Sequence, residues 1–129
     1  MKNIPALIEE YLIRGAYIFK KIDEKTWVIE DQYENIDNMV IHYQDPLIIL
    51  RLKLMPIPES NREEFYEKLL RLNAESLVHG AYALEGNNVI IVDTLEGENL
   101  DFNELQASID AIQLALANDY NQLKKYYKQ

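Results

Sequence analysis

Two histidines, His42 and His79, are the side chains of this chain best suited to acid–base chemistry near neutral pH. His42 alternates with Val40 in a predicted strand, and His79 precedes Gly80 at the start of a predicted hairpin. Catalysis or metal ligation needs a second polar group at a defined spacing, and neither histidine has one nearby in the sequence. We therefore interpret both as surface or half-buried histidines and assign no catalytic residue.

Carboxylates occur in pairs, for example at Glu9-Glu10 and Glu63-Glu64. A hydrolase needs two carboxylates that converge in a cleft with separated pKa values, whereas adjacent acids on a helix point in different directions and solvate a face. The segment Glu96–Asp101 superficially resembles a calcium loop, but the alternation that ends in a bidentate glutamate is missing. The chain has no cysteine, which excludes disulfides and thiolate ligands. We expect no metal ion, no cofactor and no enzyme.

The net charge of −9 is concentrated in one part of the chain. Between Leu72 and Leu123 there is no Lys or Arg, and the acids are Glu75, Glu85, Asp93, Glu96, Glu98, Asp101, Glu104, Asp110 and Asp119. This charge repels phosphate backbones and anionic membranes, so we expect neither nucleic acid nor membrane as a partner. No signal peptide and no run long enough to span a bilayer is visible. We expect a single domain, residues 1–129, in the cytoplasm.

The first predicted element is a short amphipathic helix over residues 4–14. Its apolar residues form one stripe, Ile4, Leu7, Ile8, Tyr11 and Leu12. Pro5 lies in the first turn, where its missing N–H costs nothing, and Gly15 can take the left-handed conformation that ends a helix. A helix this short must dock on another element to persist.

Residues 16–55 lack helical periodicity and are rich in aromatic and branched side chains, which predicts strands. The predicted strands cover Lys25–Asp31, Asn38–Tyr43 and Leu47–Met55, and an extended segment, Tyr17–Ile22, precedes the first. Gln44-Asp45-Pro46 has tight-turn chemistry, so the last two strands should form an antiparallel hairpin. In the third strand Ile48, Leu50, Leu52 and Leu54 alternate with Ile49, Arg51 and Lys53, which predicts one buried and one partly wet face.

Pro56-Ile57-Pro58 ends this sheet segment, because proline cannot donate to a ladder. Ser60-Asn61-Arg62-Glu63 has the pattern of a capping box and predicts a second helix from Asn61. That helix carries two apolar stripes, Phe65, Leu69 and Leu72 on one and Tyr66 and Leu70 on the other. One stripe can pack on the sheet while the other meets a second copy of the chain.

A second hairpin and a long helix complete the chain. Gly86-Asn87-Asn88 separates two apolar runs and tolerates the positive φ of a tight hairpin turn, and it lacks the lysine of a phosphate loop. Asp101-Phe102-Asn103-Glu104 repeats the capping pattern before one continuous stripe, Leu105, Ile109, Ile112, Leu116, Tyr120, Leu123 and Tyr127. The predicted order, α-βββ-α-ββ-α, is an α+β fold with an antiparallel sheet packed by helices.

This order resembles the class I type III secretion chaperones, the CesT or Tir-chaperone-like family, and the related YbjN-like domains. The segments that carry the resemblance are Leu69-Leu70-Arg71-Leu72-Asn73, the hairpin Gly80–Leu95 around Glu85-Gly86-Asn87-Asn88, and Leu100-Asp101. The resemblance implies a homodimer, formed largely through the second helix and neighbouring strands, that holds a segment of another protein in extended form without ATP. The alternative is a YbjN-like regulator that acts through protein contacts outside secretion.

Two surfaces are candidates for these contacts. The candidate dimer residues are Tyr66, Leu70 and Asn73 on the second helix. The candidate partner-binding residues are the aromatic side chains Tyr11, Tyr17, Phe19 and Trp27, which we expect to be exposed on the first helix and around the first strand. A partner segment could add to an exposed sheet edge while its side chains enter pockets between the first helix and the sheet.

Overall fold

The structure is a computed structural model that describes residues 3–30 and 38–127. The helices are α1 (Ile4–Arg14), α2 (Arg62–Glu75) and α3 (Phe102–Tyr127). The strands are β1 (Phe19–Asp23), β2 (Thr26–Ile29), β3 (Met39–Gln44), β4 (Leu47–Pro56), β5 (Ala81–Glu85) and β6 (Asn88–Glu96). The end of the predicted first strand, Asp31, lies outside the described residues.

The α+β class is confirmed, but the sheet has one strand more than predicted. Its six strands follow the order β1-β2-β3-β4-β6-β5, and every neighbouring pair is antiparallel, so that β1 and β5 form the two edges. The segment predicted only as extended, Tyr17–Ile22, includes all of β1 except its last residue, Asp23. It is joined to β2 by a turn in which Asp23 Oδ1 accepts the Lys25 backbone N–H at 2.9 Å. An Asx turn of this kind reverses the chain without glycine or proline.

Both predicted hairpin turns are confirmed. Gln44 pairs with Leu47 across Asp45-Pro46, and Glu85 pairs with Asn88 across a turn in which Gly86 has a φ of 58°. In β4 the predicted alternation also holds, with the even-numbered residues from Ile48 to Leu54 buried and Arg51 and Lys53 exposed.

The helices bury their apolar stripes in one core with the inner face of the sheet. α1 is tied to β2 by Trp27, whose indole N–H donates to Glu9 at 3.1 Å. α3 is tied to β6 by Ser108, whose hydroxyl donates to Asp93. α2 meets α3 through Phe65, whose ring centroid lies 5.3 Å from that of Tyr126. The sheet is thus covered on one face, as an antiparallel sheet with one wet face should be.

The end of α1 differs from the prediction by one residue. Gly15 has a φ of −79°, and Ala16 has the left-handed φ of 59°. The N–H of Ala16 donates to Ile13 and that of Tyr17 donates to Leu12, at 3.0 and 3.1 Å, which is a Schellman motif with alanine in the usual glycine position. Gly15 is required for a different reason, because a Cβ there would lie 2.4 Å from the ring of Tyr17.

The predicted start of α2 is one residue too early, whereas the predicted cap of α3 is observed. α2 begins at Arg62, one residue later than predicted, and the residue before it is Asn61, which has a φ of 56° and makes no cap hydrogen bond with its side chain. α3 begins as predicted, because Asp101 Oδ1 accepts the Glu104 backbone N–H at 2.7 Å.

Candidate protein-binding surfaces

The two histidines lie in different surroundings. His42 Nδ1 lies 2.9 Å from Thr26 Oγ1 on the neighbouring strand, and His79 is exposed between α2 and β5. Among residues 3–30 and 38–127, no three His, Asp or Glu side chains are placed to hold a metal ion together. The hydroxyl of Thr26 is a partner that the sequence alone did not reveal, because it comes from the adjacent strand.

α2 presents one large apolar side chain to solvent. Phe65, Leu69 and Leu72 are buried, whereas the Leu70 side chain is 69% exposed. Tyr66 is half-buried, and its ring centroid is 6.2 Å from that of Phe65. The two predicted stripes therefore meet different surroundings, the first in the core and Leu70 at the surface.

Asn73, the third candidate on this helix, turns towards the edge strand β5. Its side-chain amide donates to the carbonyl of Tyr82 at 3.2 Å, and its Oδ1 accepts the Tyr82 backbone N–H at 2.6 Å. The amide of Asn73 is therefore engaged inside the subunit. A second copy of the chain could contact α2 through Leu70 without using the hydrogen-bonding groups of Asn73.

A buried carboxylate lies behind the same strand. Asp119 of α3 is 2% exposed. It accepts the hydroxyl of Tyr82 at 2.6 Å and that of Ser76 at 2.8 Å. Burial, and then the hydrogen bond to this carboxylate, raises the pKa of Tyr82 far above its ordinary value. The end of α2, the start of β5 and α3 are thus joined at one point.

The four aromatic candidates near the first strand are less exposed than predicted. Trp27 is fully buried and belongs to the core. Tyr17 is half-buried and its hydroxyl donates to Asp110 at 2.8 Å; burial, followed by this bond, raises its pKa. Tyr11 is half-buried, with its ring 5.9 Å from that of Phe102. Phe19, on β1, is half-buried at the sheet edge. Trp27 and Tyr17 are therefore structural residues in this subunit.

Exposed aliphatic side chains, which the sequence analysis missed, lie where these aromatics were expected to act. Ile18, just before β1, is 72% exposed, and Ile22, the penultimate residue of β1, is 59% exposed. Ile13 at the end of α1 is 67% exposed. Alternation along β1 could have indicated Ile18 and Ile22, because they flank Lys20 on one face of the strand.

In the part of the chain that the structure describes, β1 pairs with another strand on one side only. Ile18 accepts the Glu30 backbone N–H at 3.0 Å, and Lys20 is opposite Val28 in the ladder with β2. Because hydrogen-bonded and non-hydrogen-bonded pairs alternate in an antiparallel ladder, the N–H and C=O groups of Phe19 and Lys21 point away from β2. Within the described residues, no strand pairs with this side of β1.

Charges around the edge are paired within the subunit. Lys21 Nζ lies 3.3 Å from Glu9, and Lys20 Nζ lies 3.4 Å from Glu30. The indole N–H of Trp27, with Lys21 beside it, holds the pKa of Glu9 below its ordinary value. The Glu9–Lys21 ion pair therefore links β1 to α1.

The family model CesT_Tir_1 matches residues 1–129, the whole chain. A comparison with curated proteins finds no match. Similar solved structures include a chain of the ExoU–SpcU complex from the type III secretion system of Pseudomonas aeruginosa, with 14% identity and a TM-score of 0.67 over 92% of this chain and 96% of that chain. YbjN from E. coli is similar, with 10% identity and a TM-score of 0.66 over 89% and 90%.

A third structure is a chain of the complex between the Yersinia pestis type III secretion chaperone SycH and a stable fragment of YscM2. It has 12% identity and a TM-score of 0.63 over 94% of this chain and 99% of that chain. At these identities the likeness establishes the fold, and with the family match it confirms the resemblance that the sequence predicted. In the described part of the chain, no helix has both the length and the apolar character needed to cross a bilayer.

Proposed function

We propose that this chain, which belongs to the CesT_Tir_1 family of type III secretion chaperones, binds a segment of a partner protein by adding it as a strand to the open edge of β1. The observation that carries the proposal is this edge, where the backbone groups of Phe19 and Lys21 point outward beside exposed isoleucines. Strand addition uses main-chain hydrogen bonds for affinity and side-chain pockets for specificity. The similar structures include complexes of SpcU with ExoU and of SycH with a YscM2 fragment.

The apolar surface at this edge can supply binding energy. Ile13, Ile18 and Ile22 are each more than half exposed. Covering the exposed part of one such side chain contributes roughly 1–2 kcal/mol. Because the edge is already formed and the association is passive, we propose that binding requires neither ATP nor any catalytic step by this chain.

The charge of the chain restricts the kind of partner. The net charge is −9, and the cations nearest the β1 edge, Lys20 and Lys21, already have acidic partners. We therefore expect the bound segment to have an apolar stretch with basic or neutral flanks, because an acidic segment would be repelled. A cytoplasmic location, which is usual for secretion chaperones, is part of this proposal.

We also propose that the protein is a homodimer with Leu70 in its interface. A leucine that is 69% exposed on a helix is well placed to be covered by a second copy. Tyr66, beside it and half-buried, would extend this contact. Because α2 packs beside β5, a dimer of this kind leaves β1, the edge strand at the other end of the sheet, available to the partner segment.

The first experiment is affinity capture of partners with the full chain, followed by mass spectrometry and measurement of the affinity for the captured segment. Lys21→Pro removes an outward N–H and leaves the ladder with β2 intact, since proline is tolerated on edge strands. We expect it to weaken binding about tenfold or more, the loss of one hydrogen bond plus steric exclusion. Lys21→Ala is the matched control, because it removes the ion pair with Glu9 and keeps the N–H.

Equal affinities for wild type, Lys21→Pro and Lys21→Ala would exclude β1 as the acceptor edge. A captured protein that is itself exported would support a role in secretion. A captured regulatory protein with no link to export would instead support the YbjN-like alternative.

A further inference from the structure

We infer that Asn73 blocks the β5 edge of the sheet at Tyr82 and so favours β1 as the edge that accepts a partner strand. The first half of this inference concerns the subunit alone, and the second half rests on the function proposed above. An open edge presents unpaired N–H and C=O groups that pair readily with other chains, and folded proteins cover such edges. In this sheet a side chain, Asn73, bonds to the outer backbone of the edge strand β5.

The outward groups of β5 follow from its hairpin with β6. Glu85 and Asn88 close the two-residue turn and form a hydrogen-bonded pair, so Ala83 and Ala81 also face β6. The N–H and C=O of Tyr82, and those of Leu84 beside the turn, therefore point to the outer side of the sheet. Asn73 binds both groups of Tyr82.

Asn73 acts there as a substitute for a neighbouring strand. A carboxamide has an acceptor oxygen and two N–H donors, one of which lies on the same side as the oxygen, so a single asparagine can bond to both the N–H and the C=O of one strand residue. Both bonds are made, at 2.6 and 3.2 Å, to the second residue of a five-residue strand. A strand from another chain would have to displace this amide before pairing with β5 at Tyr82.

The position of Asn73 is itself held in place. Ser76, one turn further along the chain, and Tyr82 both donate to the buried carboxylate of Asp119. We call Asn73, Ser76, Tyr82 and Asp119 the Tyr82 clamp. The clamp holds the end of α2 against β5 in two ways. Asn73 bonds to the backbone of Tyr82, and the hydroxyls of Ser76 and Tyr82 share the carboxylate of Asp119. Among the described residues, no strand pairs with the outer backbone of Phe19 or Lys21 on β1.

The test compares wild type with Asn73→Ala in the absence of any partner. We expect the Tyr82 amide to exchange with solvent deuterium about tenfold faster in the variant, because it loses its acceptor. We also expect the variant to form species larger than the wild-type assembly as concentration rises in sedimentation velocity experiments, since β5 becomes available for pairing.

Leu72→Val is the control for a general loss of stability, because Leu72 is the adjacent buried residue of α2 and does not bond to the β5 backbone. It should lower the stability without producing larger species. If Asn73→Ala exchanges and sediments like wild type, or if Leu72→Val produces the same larger species, the inference is overturned. Neither readout requires a partner, so a failure of the proposed strand addition at β1 would be recognised separately, by the Lys21→Pro experiment.

Discussion

Replacing Tyr82 with phenylalanine removes one hydroxyl from the Tyr82 clamp, and the contacts allow its cost to be worked out. Tyr82 is 5% exposed, and its hydroxyl donates at 2.6 Å to Asp119, which is 2% exposed. A hydrogen bond to a charged group contributes about 1.5–3 kcal/mol. Because Asp119 keeps the hydroxyl of Ser76 as a donor, we expect Tyr82→Phe to lower the free energy of unfolding at neutral pH by about 2 kcal/mol.

The same substitution should change the response to alkali. The pKa of Tyr82 is raised in the folded protein, so the unfolded chain releases this proton first as the pH rises. The contribution of Tyr82 is complete below about pH 10 and is lost above it, at up to about 1.4 kcal/mol per pH unit. The free energy of unfolding of Tyr82→Phe should therefore decrease less steeply above pH 10 than that of wild type.

Urea denaturation followed by circular dichroism, at neutral pH and at several alkaline values, measures both effects. Tyr43→Phe is a matched control, because its hydroxyl also donates to an aspartate, Asp45, at 3.1 Å, but at an exposed site. That variant should change the stability by no more than about 0.5 kcal/mol. The reasoning would be refuted if the two variants lost the same stability at neutral pH, or if Tyr82→Phe kept the full alkaline slope of wild type.

Two further predictions concern the end of α1 and the dimer. Ala16→Gly should raise the free energy of unfolding by about 1 kcal/mol in urea denaturation, because Ala16 is left-handed, with a φ of 59°; a loss of stability would contradict the Schellman assignment. Gly15→Ala should lower it, since the new Cβ would lie 2.4 Å from the Tyr17 ring. Wild type should sediment near twice its 15.1 kDa and Leu70→Asp as a folded monomer; a wild-type monomer at high concentration would exclude this dimer.

The elements with strong local signals were predicted from the sequence. The alternation in β4, the Gly86 turn and the Asp101 cap each depend on residues that are close in the chain, and the structure confirms all three. β1 was not predicted as a separate strand because it is a polar edge strand with four of its five residues exposed, so no burial alternation marks it. The turn from β1 to β2 contains no glycine or proline to mark it, and depends on the hydrogen bond that the Asp23 side chain accepts from the Lys25 backbone N–H.

The surroundings of the candidate residues were predicted less well, because they depend on contacts between distant residues. Trp27 looked available in the sequence but is buried under α1, where Glu9 accepts its indole N–H. Asn73 was a candidate for a dimer contact, whereas its amide binds the backbone of Tyr82, nine residues away. The acids of the C-terminal half had no visible partners, because the Tyr17, Ser76, Tyr82 and Ser108 hydroxyls that donate to them are brought together only by folding.

The most direct test of a chaperone that accepts a strand at β1 is amide hydrogen exchange of the full chain with and without its captured partner segment. The account predicts that the amides of Phe19 and Lys21 become strongly protected on binding, while the Tyr82 amide, already bonded to Asn73, changes little. New protection confined to α3 or to β5, with Phe19 and Lys21 still exchanging freely, would contradict it.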